Sequence, residues 1–128
     1  MPVYSYDHIH LRTRDPMATA QYYHRMFDAK IVESVQSDGK SRIDLDINGL
    51  MVFLAHVPAE VDIPESPADP HLGLDHFGLR VDNMNEAYVE LKHRGAVFTV
   101  EPRTIRPGVR IAFVQGPDNV RIELLERT

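Results

Sequence analysis

From residue 6 to residue 13 the chain alternates, Ile9 and Leu11 facing one way and His8, His10 and Arg12 the other. That period of two predicts a half-buried strand. Asp15-Pro16 reads as an N-cap followed by proline at the first helical position, and Met17 to Phe27 spaces Ala20, Tyr23 and Phe27 along one apolar face, predicting a helix. Residues 30–36 read as a strand and Ser37-Asp38-Gly39-Lys40 as a tight turn. Ile43, Leu45 and Ile47 then alternate with Arg42, Asp44 and Asp46. Asn48-Gly49 is a strong hairpin signal, and Leu50 to His56 is the returning strand. The order is strand, helix, three strands. It comes again: a strand from His76 to Val81, a helix capped by Asn83 and ended near Arg94 by Gly95, and strands near 97–101, 109–114 and 119–125.

The second pass repeats the first in its letters as well as its pattern. Asp7-His8-Ile9-His10-Leu11-Arg12 returns 68 residues later as Asp75-His76-Phe77-Gly78-Leu79-Arg80. The same offset matches Val32-Glu33 to Val100-Glu101, Arg42-Ile43 to Arg110-Ile111, and Val52 to Val120. A constant offset over four stretches implies two copies of one supersecondary unit. The expected fold is therefore α+β, two βαβββ modules in tandem: module 1 over about 4–57, a connecting loop over about 58–72, and module 2 over about 73–127, together one domain of 128 residues. The loop carries Pro58, Pro64, Pro67 and Pro70 among acidic residues. It is read as a crossing loop and not a domain linker, because neither half could bury its helix-facing apolar side alone.

Composition narrows the function classes. A net charge of −5 argues against nucleic acid as a partner, since nucleic acid selects basic faces. No stretch approaches the roughly 20 apolar residues of a membrane span, and the first residues lack a basic region followed by an apolar core, so the cytoplasm is the expected compartment. The absence of cysteine removes disulfides, thiolate ligands and a thiol nucleophile together.

If the aliphatic residues of each strand pack on the helices, the other set lines whatever the sheets face. By parity that set is His8, His10, Arg12, Arg42, Asp44, Asp46, His76, Arg80 and Arg110, with Arg121, Glu123 and Leu125 from the last strand. A lone strand histidine is more often a surface residue than a ligand. His8 and His76 rise above that because they occupy the same place in each copy. Two imidazoles and the Glu123 carboxylate suit one divalent ion per chain, Fe, Mn, Ni, Co or Zn. His10 shares the face of His8, but its mate is Gly78, which favours substrate contact. Asp44 and His10 are the candidate bases by parity. Arg12, Arg42, Arg80 and Arg110 could clamp a carboxylate or phosphate, or equally neutralise Asp44 and Asp46.

These residues resemble the vicinal oxygen chelate superfamily, which includes glyoxalase I, methylmalonyl-CoA epimerase, fosfomycin-resistance proteins, extradiol dioxygenases and bleomycin-resistance proteins. The resemblance covers nearly the whole chain. It rests on His8-x-x-Leu-Arg, on Asp75-His76-Phe77-Gly78-Leu79-Arg80-Val81-Asp82, and on Ile111-Ala112-Phe113, Gly116-Pro117-Asp118 and Arg121-Ile122-Glu123-Leu124. It implies a curved, partly open, barrel-like sheet, metal ligands at His8, His76 and Glu123, a small-molecule substrate and a homodimer. The departure from glyoxalase I is informative. That enzyme and the epimerase have a fourth ligand, Glu or Gln, on the last strand of the first module. Here the ungapped repeat pairs Glu123 with Ala55, while alignment on the apolar run suggests Phe53, and neither binds a metal. Phe53 is then a candidate substrate contact. Three readings follow: a metal-dependent isomerase or lyase acting on a small oxygenated, anionic metabolite; a non-haem Fe(II) dioxygenase with a His-His-Glu triad; and a non-catalytic, ligand-sequestering binding protein.

Overall fold

Asp15 begins the first helix as its sequence predicts. In the computed structural model, which describes residues 1–128, its side chain accepts the Ala18 N–H at 3.1 Å and Pro16 occupies the first turn. The first of two compact units, Met1–Asp62, consists of β1 (His8–Thr13), α1 (Pro16–Phe27), β2 (Lys30–Val35), β3 (Ser41–Ile47) and β4 (Leu50–His56). Asp28, in the left-handed conformation with φ 57°, ends α1. Asn48 and Gly49 also have positive φ, 49° and 99°, the two-residue turn whose twist suits a β-hairpin. The sheet order is β1-β4-β3-β2, with β1 parallel to β4 and the other pairs antiparallel. Ala20, Tyr23 and Met26 of α1 and Leu45, Ile47, Val52 and Leu54 of the sheet form its buried layer. Each large aliphatic side chain buried there contributes roughly 1.5–3 kcal/mol.

The second unit, Ile63–Thr128, repeats the order: β5 (Phe77–Arg80), α2 (Met84–His93), β6 (Phe98–Arg106), β7 (Val109–Gln115) and β8 (Arg121–Arg127), a sheet ordered β5-β8-β7-β6 with β5 parallel to β8. Asn83 caps α2 by accepting the Glu86 N–H at 3.0 Å. The Met84 N–H, otherwise without a partner at the helix start, donates to the Glu126 carboxylate at 2.6 Å. Met84, Leu91, Ala112, Val114, Ile122 and Leu124 are buried. Both units are thus a four-stranded sheet with one helix, and neither sheet closes into a barrel. No helix is long and apolar enough to cross a membrane.

Two expectations change. The strand expected near 97–101 runs on to Arg106, with register shifts against β7 at three places. The sheet face expected to be polar is, in the second unit, largely apolar: Val109, Ile111 and Phe113 are buried there with Val100 and Leu125 packed beside them.

The registers also show where the repeat drifts. His10 is level with Phe53, and Phe53 with Asp44; in the second unit Gly78 is level with Glu123, and Glu123 with Phe113. The structural counterpart of Glu123 is therefore Phe53, not Ala55. The offset is 68 residues at β1/β5, 69 at β3/β7 and 70 at β4/β8. The chain gains one residue between β5 and β7, a stretch in which the pairing of β6 with β7 shifts register three times, and one more in the longer turn before β8. Because one inserted residue turns a strand over, Arg110 is misplaced by the constant offset. It does not share the face of Glu123. It lies level with Glu126 on the face that carries α2, and its Nη1 donates to Asn85 of that helix at 2.8 Å. The residue equivalent to Arg42 is Ile111.

Candidate functional site

In the second unit a chain of contacts fixes His76. Its Nδ1 is 2.7 Å from Asp75 Oδ2, and since a carboxylate only accepts, Nδ1 carries the hydrogen. The ring meets Phe113 edge to face, centroids 4.8 Å apart at 85°. Asp75 in turn receives Arg121 Nη1, and the Arg121 guanidinium lies over the Phe113 ring, 4.3 Å from its centroid. The hydrogen bond from His76, and secondarily the Arg121 charge, hold the Asp75 carboxyl below its ordinary range. Asp75 is therefore a fixed negative charge behind the imidazole.

With Nδ1 committed, Nε2 of the neutral ring offers a lone pair, and it lies 3.4 Å from Glu123 Oε1. Two lone-pair donors face each other at that distance favourably only with a proton or a cation between them. Zinc-type bonds of about 2.0–2.2 Å to nitrogen and oxygen put neighbouring donors roughly 3.0–3.5 Å apart, so this pair fits a divalent ion. Gly78 leaves room beside it: a Cβ there would stand 3.4 Å from Glu123 Oε1.

In the first unit His8 is held the same way, Nδ1 at 2.6 Å from Asp7 Oδ2. Its ring stacks on Phe53, centroids 4.1 Å apart and planes at 23°, and His10 stands edge-on to both, 6.3 Å from each. Phe53 thus occupies with an aromatic ring the register position that holds Glu123 in the other unit. Arg42 lies over the same ring, its Cζ 4.7 Å from the centroid, and its Nε donates to Asp44 Oδ2 at 2.7 Å. Asp44 is buried, 7% exposed, and its other oxygen accepts the Leu54 N–H at 3.1 Å. Asp46 Oδ1 accepts the Gly49 N–H at 2.7 Å and so braces the hairpin turn. Arg12 and Arg80 are exposed and make no ion pair. Among the other histidines, His24 bonds the Ala29 carbonyl and His71 the Asp69 and Leu74 carbonyls, which are local structural contacts.

Neither unit by itself gathers three or more His, Asp or Glu side chains closely enough to hold an ion. The second unit brings His76, Glu123, Asp75, Arg121 and Phe113 together; the first brings His8, His10, Phe53, Arg42 and Asp44. Sequence parity missed the task of the two aspartates, although they stand in plain view as the first letter of the repeated Asp-His. It also missed the pairing of Arg121 with Asp75, which nothing local in the sequence signals.

Residues 5–124 match the family model of the Glyoxalase/Bleomycin resistance protein/Dioxygenase superfamily. A probable chloroplastic lactoylglutathione lyase of Arabidopsis thaliana is 38% identical over 56 residues, which is 43% of this chain but only 16% of that protein. Among solved structures, a glyoxylase/bleomycin resistance protein/dioxygenase domain from Frankia sp. EAN1pec superposes with a TM-score of 0.77 at 22% identity, covering 99% of this chain and all of that one. A variant of a genomically encoded fosfomycin resistance protein from Listeria monocytogenes, solved with Mn(II) and dihydroxypropylphosphonic acid, gives a TM-score of 0.71 at 19% identity, covering 99% of this chain and 93% of that one. At these identities the structural likenesses establish a shared fold.

Proposed function

We propose that this chain, which belongs to the Glyoxalase/Bleomycin resistance protein/Dioxygenase superfamily, is a divalent-metal enzyme of the isomerase or lyase type acting on a small oxygenated, anionic metabolite. The observation that carries the reading is the facing pair of donors, His76 Nε2 and Glu123 Oε1, with Asp75 committing the other ring nitrogen. His8, oriented by Asp7 in the same manner, is the third ligand in this reading. A bound divalent ion supplies Lewis-acid stabilisation of negative charge developing on a substrate oxygen.

The remaining work falls to the protein's own groups. Asp75 and Asp7 fix the tautomers so that Nε2 is the nitrogen left to bind on both rings. Phe53 replaces a possible fourth ligand by an apolar surface, leaving no carboxylate there to shuttle protons as in a glyoxalase I. Of the two candidate bases, Asp44 has both oxygens engaged, which supports a structural task. His10 makes no hydrogen bond of its own and shares the sheet face of His8, so it is the preferred proton carrier. The reading takes the protein as a homodimer. The Arabidopsis relative named a lyase, and the Mn(II) of the Listeria structure, agree with it at the level of superfamily chemistry.

Metal analysis tests it. Purified protein should bind about one divalent ion per chain, and His76→Ala should bind none; a stoichiometric ion in that variant would sink the assignment. Three ligands also suit the dioxygenase reading, so anaerobic reconstitution with Mn, Ni, Co and Fe(II) should be run beside oxygen uptake with catechol. Fe(II)-dependent oxygen consumption would move the assignment to the dioxygenase.

A further inference from the structure

One arginine in the first unit keeps both outer nitrogens free on a buried anchor. Arg12 and Arg80 are exposed and tied to nothing; Arg110 is bonded to α2; Arg121 lies over Phe113 as Arg42 lies over Phe53, but it spends Nη1 on Asp75, a half-buried carboxylate. Arg42 is about one third exposed and held twice, by Asp44 at Nε and by the face of Phe53. Its anchor cannot swing away, because Asp44 is buried and its second oxygen holds the Leu54 N–H. An arginine whose only task is to neutralise a carboxylate favours the two-pronged contact, in which two parallel N–H groups meet two oxygens. Here the contact is through Nε alone, and Nη1 and Nη2 have no hydrogen-bond partner. The guanidinium is therefore positioned, partly desolvated and left with its outer donors unused.

The surroundings say what those donors suit. Phe53 touches both the His8 ring and the Arg42 guanidinium, which places the two within about 9 Å of each other on one sheet face. Both stand on the face away from α1, with the parity of Phe53 and its register partner His10. We propose that Arg42 is the receptor for the terminal oxyanion of the substrate, a carboxylate, phosphate or phosphonate, which it engages through Nη1 and Nη2 while Phe53 packs against the short carbon chain between that anion and the oxygen reacting near His8. The assignment of that face to substrate rests on the function proposed above. The recognition element itself needs only residues of the first unit.

The test uses the full, metal-free chain with inorganic phosphate and acetate as probes, followed by NMR at the ring protons of His8 and Phe53. Saturable shifts at both rings are expected, and the tighter probe tells a tetrahedral from a planar anion. Arg42→Lys keeps the charge but loses the paired donors, and should weaken binding roughly tenfold. The double variant Arg42→Met/Asp44→Asn avoids a lone buried carboxylate, since an asparagine can still accept the Leu54 N–H; it should weaken binding roughly ten- to hundredfold. Lys30→Met, which removes an equal charge from the neighbouring strand β2, should change nothing. Equal affinity in the double variant, or an equal loss in Lys30→Met, would overturn the proposal, as would the absence of saturable binding. Metal stoichiometry is measured on the same preparations after reloading with Mn(II) and should be unchanged in the double variant. Loss of anion binding with a retained metal site, or the reverse, then separates failure of this proposal from failure of the metal reading.

Discussion

Asp75 stands between His76 and Arg121, and its value to the protein lies in orientation more than in stability. It keeps the hydrogen on Nδ1 of His76 and so leaves Nε2 to face Glu123. Its carboxyl is held below the ordinary value of 3.8. A depressed folded value means that whatever stability it contributes is complete above the unfolded value and is lost only as pH falls through the folded one. Between pH 5 and 8 Asp75 therefore stays charged, and any loss of metal on acidification in that window reports protons competing for the ligands. Asp75→Asn keeps an oxygen for Nδ1 but removes the charge behind the ring. It should lower metal affinity roughly ten- to hundredfold, read by competition with a chelating dye, while barely moving the urea midpoint. An unchanged affinity would leave Asp75 a surface ion pair and nothing more. The sequence displayed this aspartate twice, at Asp7 and Asp75, but a neighbour in sequence does not disclose which nitrogen it will bond.

Among the elements, strand identity was legible and register was not. Alternation, turn signals and the repeat together located all eight strands, and the caps at Asp15 and Asn83 and the turn at Asn48-Gly49 formed as their residue types require. What alternation could not supply was the count of residues between strands. One residue is gained between β5 and β7, the stretch that holds the bulged β6, and one in the longer turn before β8, which put Arg110 on the wrong face and left Ala55 and Phe53 as rival counterparts of Glu123 until the pairing settled it. A bulge is a tertiary adjustment with no fixed composition. Asp44 shows the same limit. Read as a candidate base by its parity, it stands where the β3–β4 ladder stops: the last register pair is Asp44 with Phe53, and the next N–H along β4, that of Leu54, goes to the Asp44 side chain. Asp44→Ala would strand that N–H and leave Arg42 unpaired, and should cost about 2–4 kcal/mol in urea unfolding. Asp44→Asn, which can still accept from Leu54, should cost less than half as much. Equal losses would mean that the charge, not the ladder end, is what the fold uses.

For the molecule as a whole, duplication fixed the architecture and left the chemistry to the places where the copies differ. Both units present an Asp-oriented histidine at the head of the first strand, His8 as the first residue of β1 and His76 just before β5. Only the second follows it across the sheet with a carboxylate; the first has Phe53 there. The proposed ligands are His8 of the first unit and His76 and Glu123 of the second. Binding an ion by such a set adds its binding free energy to folding. At a hundredfold excess over the dissociation constant the gain is about 2.7 kcal/mol, which for a chain of this length raises the melting temperature by roughly 10 °C if unfolding is two-state. Calorimetry with and without Mn(II) should show that rise in the unmodified protein and lose it in His76→Ala. His8→Ala is the decisive arm. A chain whose ligands are shared between its units loses most of the shift when either histidine goes. If His8→Ala keeps the full shift while His76→Ala abolishes it, the ion belongs to His76 and Glu123 alone, and His8 is a stacking partner of Phe53.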